Sequence, residues 1–269
     1  MSGAPSSAEE AEILARGVLE VTGRILPASN VTFLGEATLD AQTVACVYKP
    51  VSGERPLWDF PDGTLAAREE AAYVVSEALA WDVVPLTLLR DGPAGPGMVQ
   101  VWREPDDAQS PVDIVAAGST PEGYLHVLDA VDAHDRPVSL VHEDSDPLRR
   151  MAVFDAVVNN ADRKGGHVLA MRGGHRHGVD HGVSFHVDNK LRTVLWGWAG
   201  EPLHAQDVQG VSALADDLAS SGGDLRSRMT RLLTKGEVDA LLGRCEDLVS
   251  RGRMPLPSGE WPAIPWPAF

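Results

Sequence analysis

The sequence predicts an α+β chain of two lobes, an antiparallel β-rich half over residues 1–103 and a mainly helical half over residues 104–269. Three observations carry that expectation. Runs of β-branched and aliphatic residues, broken by Gly, Pro, Asn and Asp, fill the first hundred positions. Apolar residues at helical spacing dominate the rest. Between them, Glu104-Pro105-Asp106-Asp107 opens an acidic, polar stretch that reaches Ser110 and reads as a linker.

A short helix is expected over residues 7–16, with Ser7 and Glu10 spaced as a capping box and Gly17 ending it. Strands follow over 18–26, 31–37 and 43–48 as an antiparallel meander. The period then changes: Ala72, Val75, Ala78 and Leu79 recur at helical spacing within 66–80, and Val83-Val84-Pro85 closes that helix. Strands over 86–90 and 98–103, joined by the turn Asp91-Gly92-Pro93-Ala94-Gly95-Pro96, complete a five-stranded sheet. In the second half, helices are expected over 121–133, 147–159, 205–220 and 235–250. Pro147 suits the first turn of its helix, with Ser145 or Asp146 as cap. Residues 167–171 and 178–187 read as a hairpin, and the proline-rich tail 261–267 as neither helix nor central strand.

Bulk properties narrow the function. A formal charge of -16 opposes nucleic acid and anionic membrane surfaces, so no nucleic-acid partner is expected. Only Cys46 and Cys245 occur, without metal-site or disulfide spacing. No apolar run approaches the roughly 20 residues needed to span a bilayer, and the first dozen residues lack a signal-peptide pattern. A cytoplasmic protein without membrane insertion is the expectation.

Chemistry concentrates in a few short segments. Lys49 ends a strand-like run and precedes Pro50, a position that fixes its ammonium at the sheet edge; a carboxylate from the next helix, Glu69 or Glu70, is placed to orient it. Ser29 and Asn30 lie between the first two strands, where small polar groups and backbone amides either surround phosphate oxygens or simply make a turn. Asp162 follows a helix with the apolar stripe Leu148, Met151, Ala152 and Val158, and precedes Gly165-Gly166, so it projects from a tight loop that Asn160 and Arg163 are placed to hold. Asp155, near the same stripe, reads as a buried structural partner. Asp180 sits in Val179-Asp180-His181-Gly182, a strand-then-turn pattern that exposes a carboxylate to a metal ion. Together these residues supply a cation for nucleotide phosphates, a carboxylate for an acceptor hydroxyl and a carboxylate for magnesium, the three charges phosphoryl transfer needs. His167, His175, His177, His181 and His186 crowd one region, but their irregular spacing makes a weak metal signal.

Val47-Tyr48-Lys49-Pro50, Arg68-Glu69-Glu70-Ala71-Ala72-Tyr73 leading to Val84-Pro85, Asn160-Ala161-Asp162-Arg163 and Val179-Asp180-His181-Gly182 occur in the order that resembles the phosphatidylinositol 3- and 4-kinase-like branch of the protein-kinase-like fold, with its HipA-like relatives and a bacterial family within it. The resemblance spans residues 23–220. It implies a nucleotide-binding N-lobe and a catalytic C-lobe, with ATP and Mg2+ as cofactors and Mn2+ as an alternative. Lys49 would bind phosphate with Glu69 as partner, Asp162 would be catalytic and Asp180 metal-binding. Ser29 and Asn30 would cover phosphate, and the backbone near Val101 and Trp102 would receive adenine. Two departures stand out. His167 occupies the place of a metal-binding asparagine, and residues 183–202 carry only Lys190 and Arg192 as cations, too few for an inositol-lipid headgroup. The implied activity is an ATP- and metal-dependent phosphotransferase acting on an unidentified acceptor, a protein hydroxyl or a small metabolite. The alternatives are adenylyl transfer on the same fold and a non-catalytic nucleotide-binding pseudokinase. Trp196-Gly197-Trp198 is either core packing or an apolar platform.

Overall fold

The computed structural model describes residues 5–26 and 30–269. Helix α1 (Ser7–Arg16) has the expected bounds, but its capping box is one residue earlier, Ser6 with Glu9. Strands β1 (Val18–Arg24), β2 (Phe33–Leu39) and β3 (Gln42–Pro50) run antiparallel; helix α2 (Leu65–Ala78) follows, and β4 (Thr87–Gly92) and β5 (Gly95–Val101) close a five-stranded sheet of order β1-β2-β3-β5-β4. Alternation along β3 decides which way each side chain points. Val44, Cys46 and Tyr48 turn to one face and pack with Ile13 and Leu14 of α1, which sends Lys49 to the other face.

Helix α2 starts at Thr64, whose hydroxyl accepts the Ala67 N–H, while the Glu54 carboxylate accepts the Leu65 and Ala66 N–H groups. An anion here also complements the helix dipole. The apolar side of α2, Ala71, Ala72, Val74 and Val75, joins the core of the second half rather than the small core under the sheet. Arg68 and Glu237, both buried, pair across from α2 to the first turn of the last helix.

Beyond residue 103 the expectation of mainly helical structure needs correction. Strands β6 (Val112–Ala116), β7 (Tyr124–Val131) and β8 (Pro137–Glu143) form a separate antiparallel sheet of order β6-β8-β7, so the helix expected over 121–133 is a strand. The cause lies in the turn that follows: the Asp132 carboxylate accepts the N–H groups of His134 and Arg136, and Asp135 takes a left-handed conformation (φ 58°), which folds β7 back onto β8. Helix α3 (Asp146–Val158), capped by Ser145 with Pro147 in its first turn, is buried along residues 151–158 and forms the centre of the larger core. Replacing Phe154 by Ala is expected to destabilise by about 3–5 kcal/mol.

The hairpin of β9 (Val168–Ala170) and β10 (Arg176–Gly178) ends earlier than expected; residues 179–187 are irregular, not a strand. Helices α4 (Ala205–Ala219), α5 (Asp224–Leu232) and α6 (Lys235–Arg251) complete the chain, α5 being absent from the sequence expectation because only Met229 on it is fully buried. Trp198 is core packing: its ring lies against His142 and its indole N–H donates to Asp144. Among the described residues no helix is long and apolar enough to cross a membrane.

Candidate active site at the lobe junction

Four of the charged or metal-ligating side chains singled out in the sequence meet where α2, β3 and the turn after β10 approach. Lys49 Nζ lies 2.8 Å from Glu69 Oε1 and also pairs with Asp180 Oδ1. Glu69 uses its second oxygen to accept the His181 N–H at 2.8 Å, so one glutamate fixes both the lysine and the turn that carries Asp180. His167 Nε2 faces the other oxygen of Asp180 at 3.4 Å. Glu70 is not part of this group; its carboxylate accepts the Leu89 N–H.

The turn is held in an uncommon backbone state. Asp180 is left-handed (φ 59°), a region in which Asp and Asn are several-fold enriched among non-glycine residues. Gly182 follows, where an added Cβ would press on Leu65 at 3.1 Å. Asp162 is positioned from the other side. Helix α3 ends at Asn159, left-handed (φ 55°), whose amide nitrogen donates to the carbonyls of His186 and Asp188. The chain then turns so that Asn160 Oδ1 accepts the Asp162 N–H, and Lys164 Nζ sits 3.4 Å from Asp162 Oδ2.

Behind both carboxylates stands a buried frame. Arg163 and Asp155 are fully buried and doubly bonded, Nε and Nη2 each donating at 2.8 Å. Arg163 Nη1 also donates to the carbonyls of His167 and Val179, and Nη2 reaches His181 Nε2 at 2.7 Å. Because a guanidinium only donates, the neutral ring of His181 accepts at Nε2 and carries its proton on Nδ1. That Nδ1 has no partner among the described residues, and neither does Nδ1 of His167.

The surroundings push the titrating groups in different directions. Burial works against the charge of Lys49, but Asp180 and Glu69 outweigh it and raise its pKa. Burial pushes the Asp180 carboxyl up, and Lys49 and His167 overcome this, holding it well below the usual carboxylate range. Burial raises Asp162, opposed by Lys164 and Arg192 and aided by the negative charge of Asp180. Burial lowers His167 to about 4, so its imidazole is neutral and offers one ring nitrogen as a ligand. A carboxylate oxygen beside a neutral imidazole suits a divalent ion, with the nitrogen donor favouring Mn2+ over Mg2+.

Among the described residues, Asn30, Val101 and Trp102 make hydrogen bonds of their own. Ser29 falls outside the described residues. Asn30 Oδ1 accepts the Arg55 N–H at 2.9 Å, which ties the β1–β2 connection to the segment after β3. The N–H groups of Val101 and Trp102 donate to the carbonyls of Leu86 and Ala45, which leaves the other backbone groups near them for the expected adenine contact. The C-terminal residues pack on the loop after Asp162: Gly165 N–H donates to Ala268 O, and an added Cβ at Gly165 would lie 2.3 Å from the Phe269 ring. Lys164 and this tail contact were not anticipated, and no local pattern in the sequence announces either.

The architecture joins a five-stranded antiparallel sheet to a helix-rich half, with a lysine, a helix glutamate and a turn aspartate brought together between them. No protein-family model matches the chain. Protein Rv2133c of Mycobacterium tuberculosis is 53% identical over 270 residues, covering 97% of this chain and 96% of that protein, and the chain belongs to the same family. Among solved structures, the Helicobacter pylori proinflammatory kinase CtkA overlays with a TM-score of 0.45 at 10% identity, covering 88% of this chain and 94% of that one.

Proposed function

We propose that the protein is an ATP- and divalent-metal-dependent phosphotransferase acting on a hydroxyl of a protein or small metabolite. The observation that carries this reading is the Lys49 ammonium held between Glu69 and Asp180 at the lobe junction. Lys49 neutralises nucleotide phosphate charge, and Glu69 keeps it in place while fixing the turn through His181 N–H. Asp180 and His167 would hold the divalent ion, which when bound would supply Lewis-acid charge to the phosphates. Asp162, whose burial raises its basicity, accepts the hydroxyl proton as the acceptor oxygen bonds to the γ-phosphorus and the bond from that phosphorus to the ADP oxygen breaks. Adenine meets the segment after β5 at groups other than the Val101 and Trp102 amides, and Asn30 bears on the phosphates through the loop it ties to Arg55.

Incubation with γ-labelled ATP and Mg2+ or Mn2+, followed by intact-mass analysis of the protein and of a hydroxyl-compound panel, tests the proposal. A gain of one phosphoryl group is the expected product. A gain of AMP, or tight ATP binding with no turnover under either metal, overturns it.

A further inference from the structure

A second group of ligating atoms lies outside the junction. Asp82, in the loop between α2 and β4, meets His175 and His177 at the start of β10, with one ligand atom from each within 4.8 Å of the others. His175 and His177 are two apart on an extended segment, so both rings project from the same side of the chain. Asp82 is far away in sequence and left-handed (φ 52°), which turns its exposed carboxylate toward them.

The separations have a specific meaning. Two donors each about 2.1 Å from a shared tetrahedral ion lie about 3.4 Å apart. His175 Nε2 is 3.3 Å from His177 Nδ1 and 3.5 Å from Asp82 Oδ2. The same Nε2 is also 2.9 Å from the Asp82 carbonyl oxygen. With the His175 ring proton on Nδ1, the Nε2 lone pair, the Asp82 carboxylate and carbonyl oxygens and His177 turn lone pairs toward one another with no proton between them, an arrangement that a cation satisfies. Nearby cations do not oppose a guest ion, since Arg176 is paired in two places with Glu143 and Arg103 in two places with Glu10. A cleft of about 100 Å³ lined by Trp81, Asp146, Arg150 and His175 gives access from solvent.

We infer that Asp82, His175 and His177 form a transition-metal site, taking Zn2+ foremost, with solvent completing the coordination. Two imidazoles and one carboxylate select Zn2+, Co2+ or Ni2+ over Mg2+. The ion joins the α2–β4 loop to the β9–β10 hairpin, a link already begun by the Gly178 N–H donating to Val83 O at 2.7 Å. It is separate from the Asp180–His167 pair and independent of the proposed phosphotransfer.

The test uses the full chain stripped with chelator and titrated with Zn2+ and, as a visible-absorption probe, Co2+. One equivalent bound, tetrahedral Co2+ absorption and a raised melting temperature are expected. Asp82→Asn keeps a residue that tolerates the left-handed backbone and His175→Gln alters a half-exposed ring, so both leave the fold intact by circular dichroism; each weakens binding by more than about 100-fold, beyond the loss typical of outer-shell changes. Asp180→Asn retains the ion. The inference fails if no equivalent binds at tens of micromolar metal, if the Asp82 and His175 variants bind like wild type, or if Asp180→Asn abolishes binding.

Discussion

Asp162 and Asp180 are the same side chain on two turns held by one buried frame, and the fold drives them apart in acidity. Asp180 is half-exposed yet held strongly acidic, because the Lys49 ammonium and His167 face it. Asp162 is the less exposed of the two and its acidity is weakened, because burial and the charge of Asp180 outweigh Lys164 and Arg192. Carboxylates separated in this way take different parts: the one kept anionic suits a metal, the one raised suits a proton. The cause is positional. β3 delivers the counter-charge Lys49 beside Asp180, and Glu69 of α2 holds it there, whereas Asp162 leaves α3 from its buried end and the charges of Lys164 and Arg192 do not offset its burial.

The most severe way to break the comparison is to remove either charge while keeping shape. Asp162→Asn and Asp180→Asn are each expected to lower phosphotransfer by about 10³-fold or more, measured as single-turnover rates with saturating ATP. Wild-type-like transfer by either variant refutes the assigned part. Next comes the frame the two turns share. Arg163→Met leaves Asp155 charged and unpaired in a dry interior and frees the carbonyls of His167 and Val179, so a loss of about 3–5 kcal/mol in denaturant unfolding is expected. A loss under 1 kcal/mol means that the buried pair does not organise the turns.

A subtler break uses stability against pH, where the same substitution should act with opposite signs. Asp180 has a depressed folded pKa, so its stabilisation is present above the ordinary 3.8 and is lost as pH falls through the folded value. Lys49, raised, stabilises below 10.5 and loses this as pH rises through its own folded value. Asp180→Asn therefore destabilises at neutral pH, by about 1 kcal/mol after solvent screening of a half-exposed group. Asp162 has a raised folded pKa, so its charge opposes folding at neutral pH; Asp162→Asn stabilises there by about 0.5 kcal/mol, and the gain disappears in acid. Melting curves from pH 3 to 8 giving the same sign for both variants would contradict the asymmetry.

Much of this was legible in the sequence where pattern and burial agree. The alternation of Val44, Cys46 and Tyr48 marks β3 and fixes the side from which Lys49 emerges. Asp155 could be read as a buried partner because it falls on the apolar stripe of α3, and its partner proved to be Arg163. Residues 121–133 misled because β7 is thinly buried, so its apolar residues follow no sheet period and the deciding signal is the Asp132 turn. The second hydrogen bond of Glu69, to His181, and the meeting of Asp82 with His175 across 93 positions are products of packing that no local window contains.

His167 offers the finest adjustment of the contrast between the two aspartates. Its neutral ring faces the Asp180 oxygen that Lys49 leaves free, so beside that carboxylate it offers a second donor toward a metal. Imidazole tilts such a site toward Mn2+, while an amide oxygen tilts it toward Mg2+. His167→Asn is therefore expected to raise the ratio of Mg2+- to Mn2+-supported transfer by roughly tenfold, with Asp162 and its acid limb in the pH profile unaffected. An unchanged metal ratio would mean that His167 packs against the turn without ligating, and the Asp180 oxygen facing it would then be the sole protein donor this pair offers the ion.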